Sequence, residues 1–247
     1  MILELHRIQK RFSDMVVIPD LTMSVEECEF VGVIGPNGAG KTTLFGMIAG
    51  SLRCDQGDVL LDGAPIKGYD ASARCRAGIG RTFQIPQPFE SMTIYENALV
   101  SATYGAGLRG QQASSFAFDA IDRCGLARFG DAEASSLTLL QRKRLELARA
   151  MATRPRLLLL DEVAGGLTDS EVTQLLDLVV DINSSGVTVL WIEHLVHALV
   201  SVARRLVVLA EGSIIADGDP KSLMQDRAVR DVYLGSEIEA EGSHASH

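Results

Sequence analysis

The segment Gly35-Pro36-Asn37-Gly38-Ala39-Gly40-Lys41-Thr42 constrains this chain more than any other. It fits GxxxxGK[ST], follows the apolar run Phe30-Val31-Gly32-Val33-Ile34, and precedes a helix expected to start near Thr43. Glycines let backbone N–H groups curl around phosphate oxygens. The Lys41 ammonium brings a point charge to the β and γ positions, and the Thr42 hydroxyl can ligate Mg²⁺. A chain built around this unit has a buried strand whose C-terminal end meets a helix N-terminus.

The surrounding pattern agrees. Alternating or β-rich segments run over Ile2 to Ile8 and Met15 to Val25, and Val59-Leu60-Leu61-Asp62-Gly63 reads as a strand closing in a turn. From about Thr93 to Ala152 the spacing becomes helical, with a soft break around Tyr104 to Gly107 and Gly110. Then come Leu157 to Leu160, a helix from about Ser170 to Ser184, the run Val187 to Ile192, another helix, and Leu206 to Leu209. Strands alternating with helices indicate an α/β fold with a parallel sheet covered on both faces. Asp161 and Glu162 follow the leucine run, at the sheet edge where open α/β folds bind ligands. Asp161 is expected to hold Mg²⁺ through its water shell, and Glu162 to polarise an attacking water.

Composition removes other classes. With 23 Lys plus Arg against 32 Asp plus Glu, the net charge of −9 gives no global field for a nucleic-acid partner. The longest apolar runs are far short of the roughly 20 residues that cross a bilayer. Nor does the N-terminal segment Met1 to Arg7 read as a secretory signal, so the expected compartment is the cytosol. Cys28, Cys54, Cys75 and Cys124 lack the short paired spacing of zinc or redox motifs and read as reduced small hydrophobes.

In order and spacing these residues resemble the ATP-binding subunit of ABC transporters over nearly the whole chain. The resemblance rests on the phosphate loop, on Arg81-Thr82-Phe83-Gln84, on Asp161-Glu162, on Gly166-Leu167-Thr168 and on Trp191-Ile192-Glu193-His194. It implies a P-loop NTPase cassette with a RecA-like parallel-sheet core, an antiparallel β subdomain and an inserted α-helical subdomain. The implied boundaries are 1–90 and 153–235 for the core with its β subdomain, 91–152 for the helical subdomain, and 236–247 for a flexible tail. ATP and Mg²⁺ are the implied cofactors. Phe12 would stack on adenine, and residues Gly35, Pro36, Asn37, Gly38, Ala39, Gly40, Lys41, Thr42 and Thr43 would hold the phosphates. Thr42, Gln84 and Asp161 would hold the metal, Gln84 also sensing the attacking water, and His194 would contact the γ-phosphate.

Gly78 to Gln84, Phe89, Met92 to Asn97 and Val229 to Gly235 are similar to the longer ATPase paralogue of branched-chain amino acid importers; urea-type and amide importers carry close relatives. The implied partners are transmembrane permease subunits, a second ATPase subunit that is a paralogue or a second copy, and indirectly a solute-binding protein. The implied location is the cytoplasmic face of the inner or plasma membrane. Ile85-Pro86-Gln87-Pro88-Phe89 would line the groove for a permease coupling helix, or else form a buried connection between lobes.

One segment departs from the family. Its signature, normally Leu-Ser-Gly-Gly-Gln, reads Leu137-Thr138-Leu139-Leu140-Gln141. In this family two ATPase subunits sandwich two nucleotides head to tail, each phosphate loop facing the other chain's signature. A side chain at positive φ costs roughly 1–2 kcal/mol, so Leu139 and Leu140 are expected to impair the signature. A soluble ABC ATPase of DNA repair or translation fits poorly with one cassette and −9 charge. A P-loop GTPase lacks its Asn-Lys-x-Asp sequence here, and a non-catalytic scaffold would not need Lys41, Asp161, Glu162 and His194 together.

Overall fold

Phe30–Ile34 is buried at every position, as a strand covered on both faces must be. It sits at the heart of the structure, a computed structural model describing residues 1–231. The chain begins with β1 (Leu3–Phe12), β2 (Met15–Val25), β3 (Phe30–Ile34), α1 (Lys41–Ala49), β4 (Gln56–Leu61) and β5 (Ala64–Pro65). Then α2 (Ala71–Arg76) and β6 (Ile79–Arg81) lead into α3 (Ile94–Val100), α4 (Gly110–Arg123) and α5 (Leu139–Ala152). The return path is β7 (Leu157–Asp161), α6 (Asp169–Ser184), β8 (Thr188–Ile192), α7 (Val196–Val202), β9 (Arg205–Ala210), β10 (Ser213–Gly218) and α8 (Pro220–Leu223).

Two sheets result. One has six strands in the order β10-β9-β3-β8-β7-β6, parallel except for the β9–β10 hairpin. The other is an antiparallel sheet in the order β2-β1-β4-β5. Period-two alternation divides the apolar side chains of the large sheet between two cores. Phe30, Ile34, Leu158, Leu160, Trp191 and Val208 pack with residues of α3, α4, α5, α6 and α7. Val31, Val33, Leu157, Leu159, Leu190 and Ile192 pack instead with α1 and the antiparallel sheet. Leu159→Ala should therefore lower unfolding free energy by about 2–5 kcal/mol, read by denaturant titration, because a fully buried side chain leaves a cavity in a strand flanked on both sides.

This is a P-loop NTPase fold with an antiparallel β subdomain and an inserted helical subdomain. Several boundaries differ from the sequence expectation. Helix α1 starts at Lys41, not near Thr43, because Gly40 at φ +96° closes the loop and its carbonyl already accepts from the Leu44 N–H at 2.8 Å. Strand β1 continues past Ile8 to Phe12, with register shifts against β2 along the way. The hairpin partner β10 follows a two-residue turn, Glu211-Gly212, with φ of +49° and +73°, the backbone that tight hairpins favour. Helix α2 is capped by Asp70, and its Arg74 donates to the Met47 and Ile48 carbonyls that end α1. A π turn over Ser101–Gly105 extends α3, and the expected break falls before Gly110. Residues 232–235 of the paralogue-like segment and the tail 236–247 lie outside the described residues.

Candidate functional site

Because β3, β6, β7 and β8 are parallel, their C-terminal ends lie along one edge. There β3 delivers the loop 35–40, β6 leads to Gln84, β7 ends in Asp161, and β8 leads to His194. The loop can take no other residue at Gly35, where a Cβ would lie 2.1 Å from the Leu209 carbonyl oxygen. A cavity of about 380 Å³ opens beside it, lined by Phe12, Met15, Val17, residues 37 to 43 and Glu162. Phe12 is half exposed at the end of its strand, its ring 5.4 Å from the Lys10 ammonium.

Gly35 and Pro36 stand behind that lining. Lys41, only 5% exposed, donates to their carbonyl oxygens at 2.6 and 3.0 Å. Burial holds its pKa below the usual lysine range, partly offset by the charges of Glu162 and Asp161. The N-cap Gly40 offers no side-chain acceptor, so first-turn N–H groups of α1 remain available for an anion.

Gln84, Glu162 and His194 come together although 78 residues separate the first two. Gln84 Nε2 donates to Glu162 Oε2 at 2.6 Å, and His194 Nε2 lies 2.5 Å from Glu162 Oε1. Glu162 adopts φ +48°, a left-handed conformation that costs a non-glycine residue about 1–2 kcal/mol. Its N–H donates to the Ile192 carbonyl at 2.9 Å, which ties it to the end of β8. Asp161, 4% exposed, accepts from Arg81 Nη2 at 3.0 Å.

Leu137 to Gln141 do not line this cavity. The expected positive φ at Leu139 and Leu140 is corrected: neither residue is left-handed, and both belong to the first turn of α5. Thr138, at φ −65°, caps that helix, and its side chain and that of Gln141 form a reciprocal capping box. The departure from glycine is thus a matter of side-chain bulk, with Leu139 43% exposed and close to Gly166.

Three residues to which sequence reasoning gave no role belong to the site's framework. Arg81 is one; Lys143 is another, 4% exposed and donating to the Gln84 carbonyl at 3.0 Å. Glu193 is the third, 2% exposed beside His194. For Glu193 the usable signal is a carboxylate ending the apolar run Val187 to Ile192, whereas Lys143 lies inside the basic stretch Arg142-Lys143-Arg144 of α5, where nothing local marks it.

Comparison with known proteins now decides the family. A model of the ABC transporter family matches residues 18–165. The chain belongs to that family. The branched-chain amino acid transport ATP-binding protein BraF of Pseudomonas aeruginosa is 36% identical, over 95% of this chain and 98% of its own length. The lipopolysaccharide export ATP-binding protein LptB of Haemophilus influenzae is 34% identical, over 96% and 98%. A crystal structure of an ABC transporter cassette in its ADP conformation superposes with a TM-score of 0.87 at 29% identity, covering 95% of this chain and 98% of that one. The ABC ATPase described here therefore hydrolyses ATP in a reaction coupled to transport. Among the described residues no helix is long and apolar enough to cross a membrane.

Proposed function

We propose that this chain is the ATP-hydrolysing subunit of an importer for branched-chain amino acids. The carrying observation is Glu162, held between Gln84 and His194 at the mouth of the phosphate-loop cavity. BraF, and a LivG protein of Archaeoglobus fulgidus 34% identical over 96% of this chain, support the solute class. LptB supports a second reading, a carrier that exports a lipid-linked saccharide.

In our reading the Lys41 ammonium and the first N–H groups of α1 hold the β- and γ-phosphates, and Phe12 stacks on the adenine. Thr42, Gln84 and Asp161 offer hydroxyl, amide and carboxylate oxygens, a hard donor set that suits Mg²⁺. Bound there, the ion would neutralise charge between the β- and γ-phosphates. Glu162 accepts a proton from the attacking water, while His194 fixes the carboxylate and reaches the γ-phosphate.

A companion ATPase supplies the signature that completes this site, and it is a paralogue rather than a second copy. Leucines 139 and 140 open the first turn of α5 where the family carries glycines, so in our reading the site that this chain's signature faces holds nucleotide without hydrolysing it. The chain sits at the cytoplasmic face of the membrane against permease subunits, served indirectly by a solute-binding protein. Phe83, Ile85 and Phe89 are 47, 73 and 44% exposed, an apolar patch that favours a docking groove over a buried connection.

The test is reconstitution of the co-purified complex in vesicles, followed by ATP-driven uptake of leucine, isoleucine and valine. Uptake supports the proposal; ATP-driven extraction of lipopolysaccharide without uptake would move the chain to the second reading. In the same vesicles Phe89→Asp should abolish uptake while ATP binding stays at the wild-type level. The ring packs under Arg149 at the surface and is not among the residues that line the phosphate-loop cavity. Normal uptake by this variant would remove the groove assignment.

A further inference from the structure

A buried carboxylate with no part in the proposed chemistry lies directly beside it. Glu193 follows β8, precedes His194, and is 2% exposed. An ionised carboxylate at such depth is costly unless its oxygens are occupied. Here they are. Oε1 accepts from the Ala164 N–H at 2.7 Å and from Trp191 Nε1 at 3.2 Å, and Oε2 accepts from the His194 N–H at 3.2 Å.

The three donors belong to different parts of the site. Ala164 lies two residues beyond Glu162, whose left-handed backbone persists only where neighbours hold it. The His194 amide carries the side chain that meets Glu162 on the other flank. Trp191 is fully buried in β8 and stacks on Phe30 of β3, with ring centroids 6.1 Å apart. One carboxylate therefore fastens both flanks of the Glu162–His194 contact to the central sheet. Burial raises the Glu193 pKa and the surrounding N–H groups lower it, while the charge of Glu193 helps to keep buried Lys143 protonated on the Gln84 carbonyl.

We propose that Glu193 is a positioning residue for ATP hydrolysis: it sets the spacing of Glu162 and His194 through their neighbouring amides, and it transmits movement at either flank to Trp191. The proposal rests on the reading of Glu162 as the group that polarises water.

Trp191 is the sole tryptophan of the chain, so intrinsic fluorescence reads this contact without any label. The variant is Glu193→Gln, which keeps size and shape but turns an NH₂ group toward at least one of the N–H donors and so breaks that bond. In the reconstituted complex, kcat should fall about 10- to 100-fold with the KM for ATP unchanged, as expected when reacting groups are misplaced by a fraction of an ångström. In the purified full chain, MgATP should shift Trp191 emission in the wild type, and that shift should disappear in Glu193→Gln although radiolabelled ATP still binds.

Wild-type kcat and an intact emission shift in Glu193→Gln would overturn the proposal. Wild-type emission that ignores saturating MgATP would also overturn it, whether or not the variant folds. Glu162→Gln, measured alongside, separates the two levels. If it too retains turnover, the reading of Glu162 fails. If it loses turnover while Glu193→Gln does not, only the positioning role fails.

Discussion

Lys41→Ala should leave a folded chain that binds ATP far more weakly. The ammonium is buried on two loop carbonyls and already stripped of water, so its removal deletes the desolvated ammonium–phosphate pair that ATP binding would form. Truncating one member of such a pair costs about 2–5 kcal/mol, a ~30- to ~5,000-fold loss of affinity. Equilibrium binding of radiolabelled ATP reads the loss, and an unchanged thermal melt shows that the fold survives. Wild-type affinity in this variant would remove Lys41 from the phosphate site.

Glu162→Gln should separate binding from chemistry. A glutamine side chain fills the same volume and can still accept from Gln84 through its amide oxygen, while its NH₂ group faces His194 Nε2 and keeps that contact only where the ring nitrogen accepts. What disappears is the basic oxygen. Removing a general base commonly lowers turnover about 10²- to 10⁴-fold, and ATP occupancy should persist or rise because the bound triphosphate is no longer consumed. A phosphate-release assay together with a nucleotide-occupancy measurement distinguishes this outcome from a simple binding defect.

The parts of the site that were legible in the sequence are those coded by neighbouring residues. The loop 35–42 announces itself through its glycines and its lysine, and Asp161-Glu162 through the four leucines before them. Gln84 and His194 were placed by resemblance alone, since nothing local says that they converge on Glu162. Arg81 and Asp161 are 80 residues apart, and Glu193 and Ala164 are 29 apart, so their pairing emerges only when parallel strands bring their ends to one edge.

The backbone of the signature follows its cap, and the family's own Ser-x-x-Gln spacing fits the same capping box. Thr138-Leu139-Leu140-Gln141 spells a capping box, and the structure obeys it by starting α5 at Leu139 with ordinary dihedrals. With the backbone fixed by the cap, no glycine freedom is required at positions 139 and 140, and only the bulk of the two leucines matters. In the same way Gly40 decided where α1 begins, placing Lys41 and Thr42 in its first turn.

In the proposed division of labour, this chain's phosphate loop fires against a companion's signature, while its own leucine-bearing signature serves a site that only holds nucleotide. The direct measurement is ATP turnover by two reconstituted complexes, one with Glu162→Gln in this chain and one with the equivalent substitution in the companion ATPase. The expected result is a ~10²- to 10⁴-fold loss in the first and turnover close to wild type in the second. Equal losses in both would contradict it.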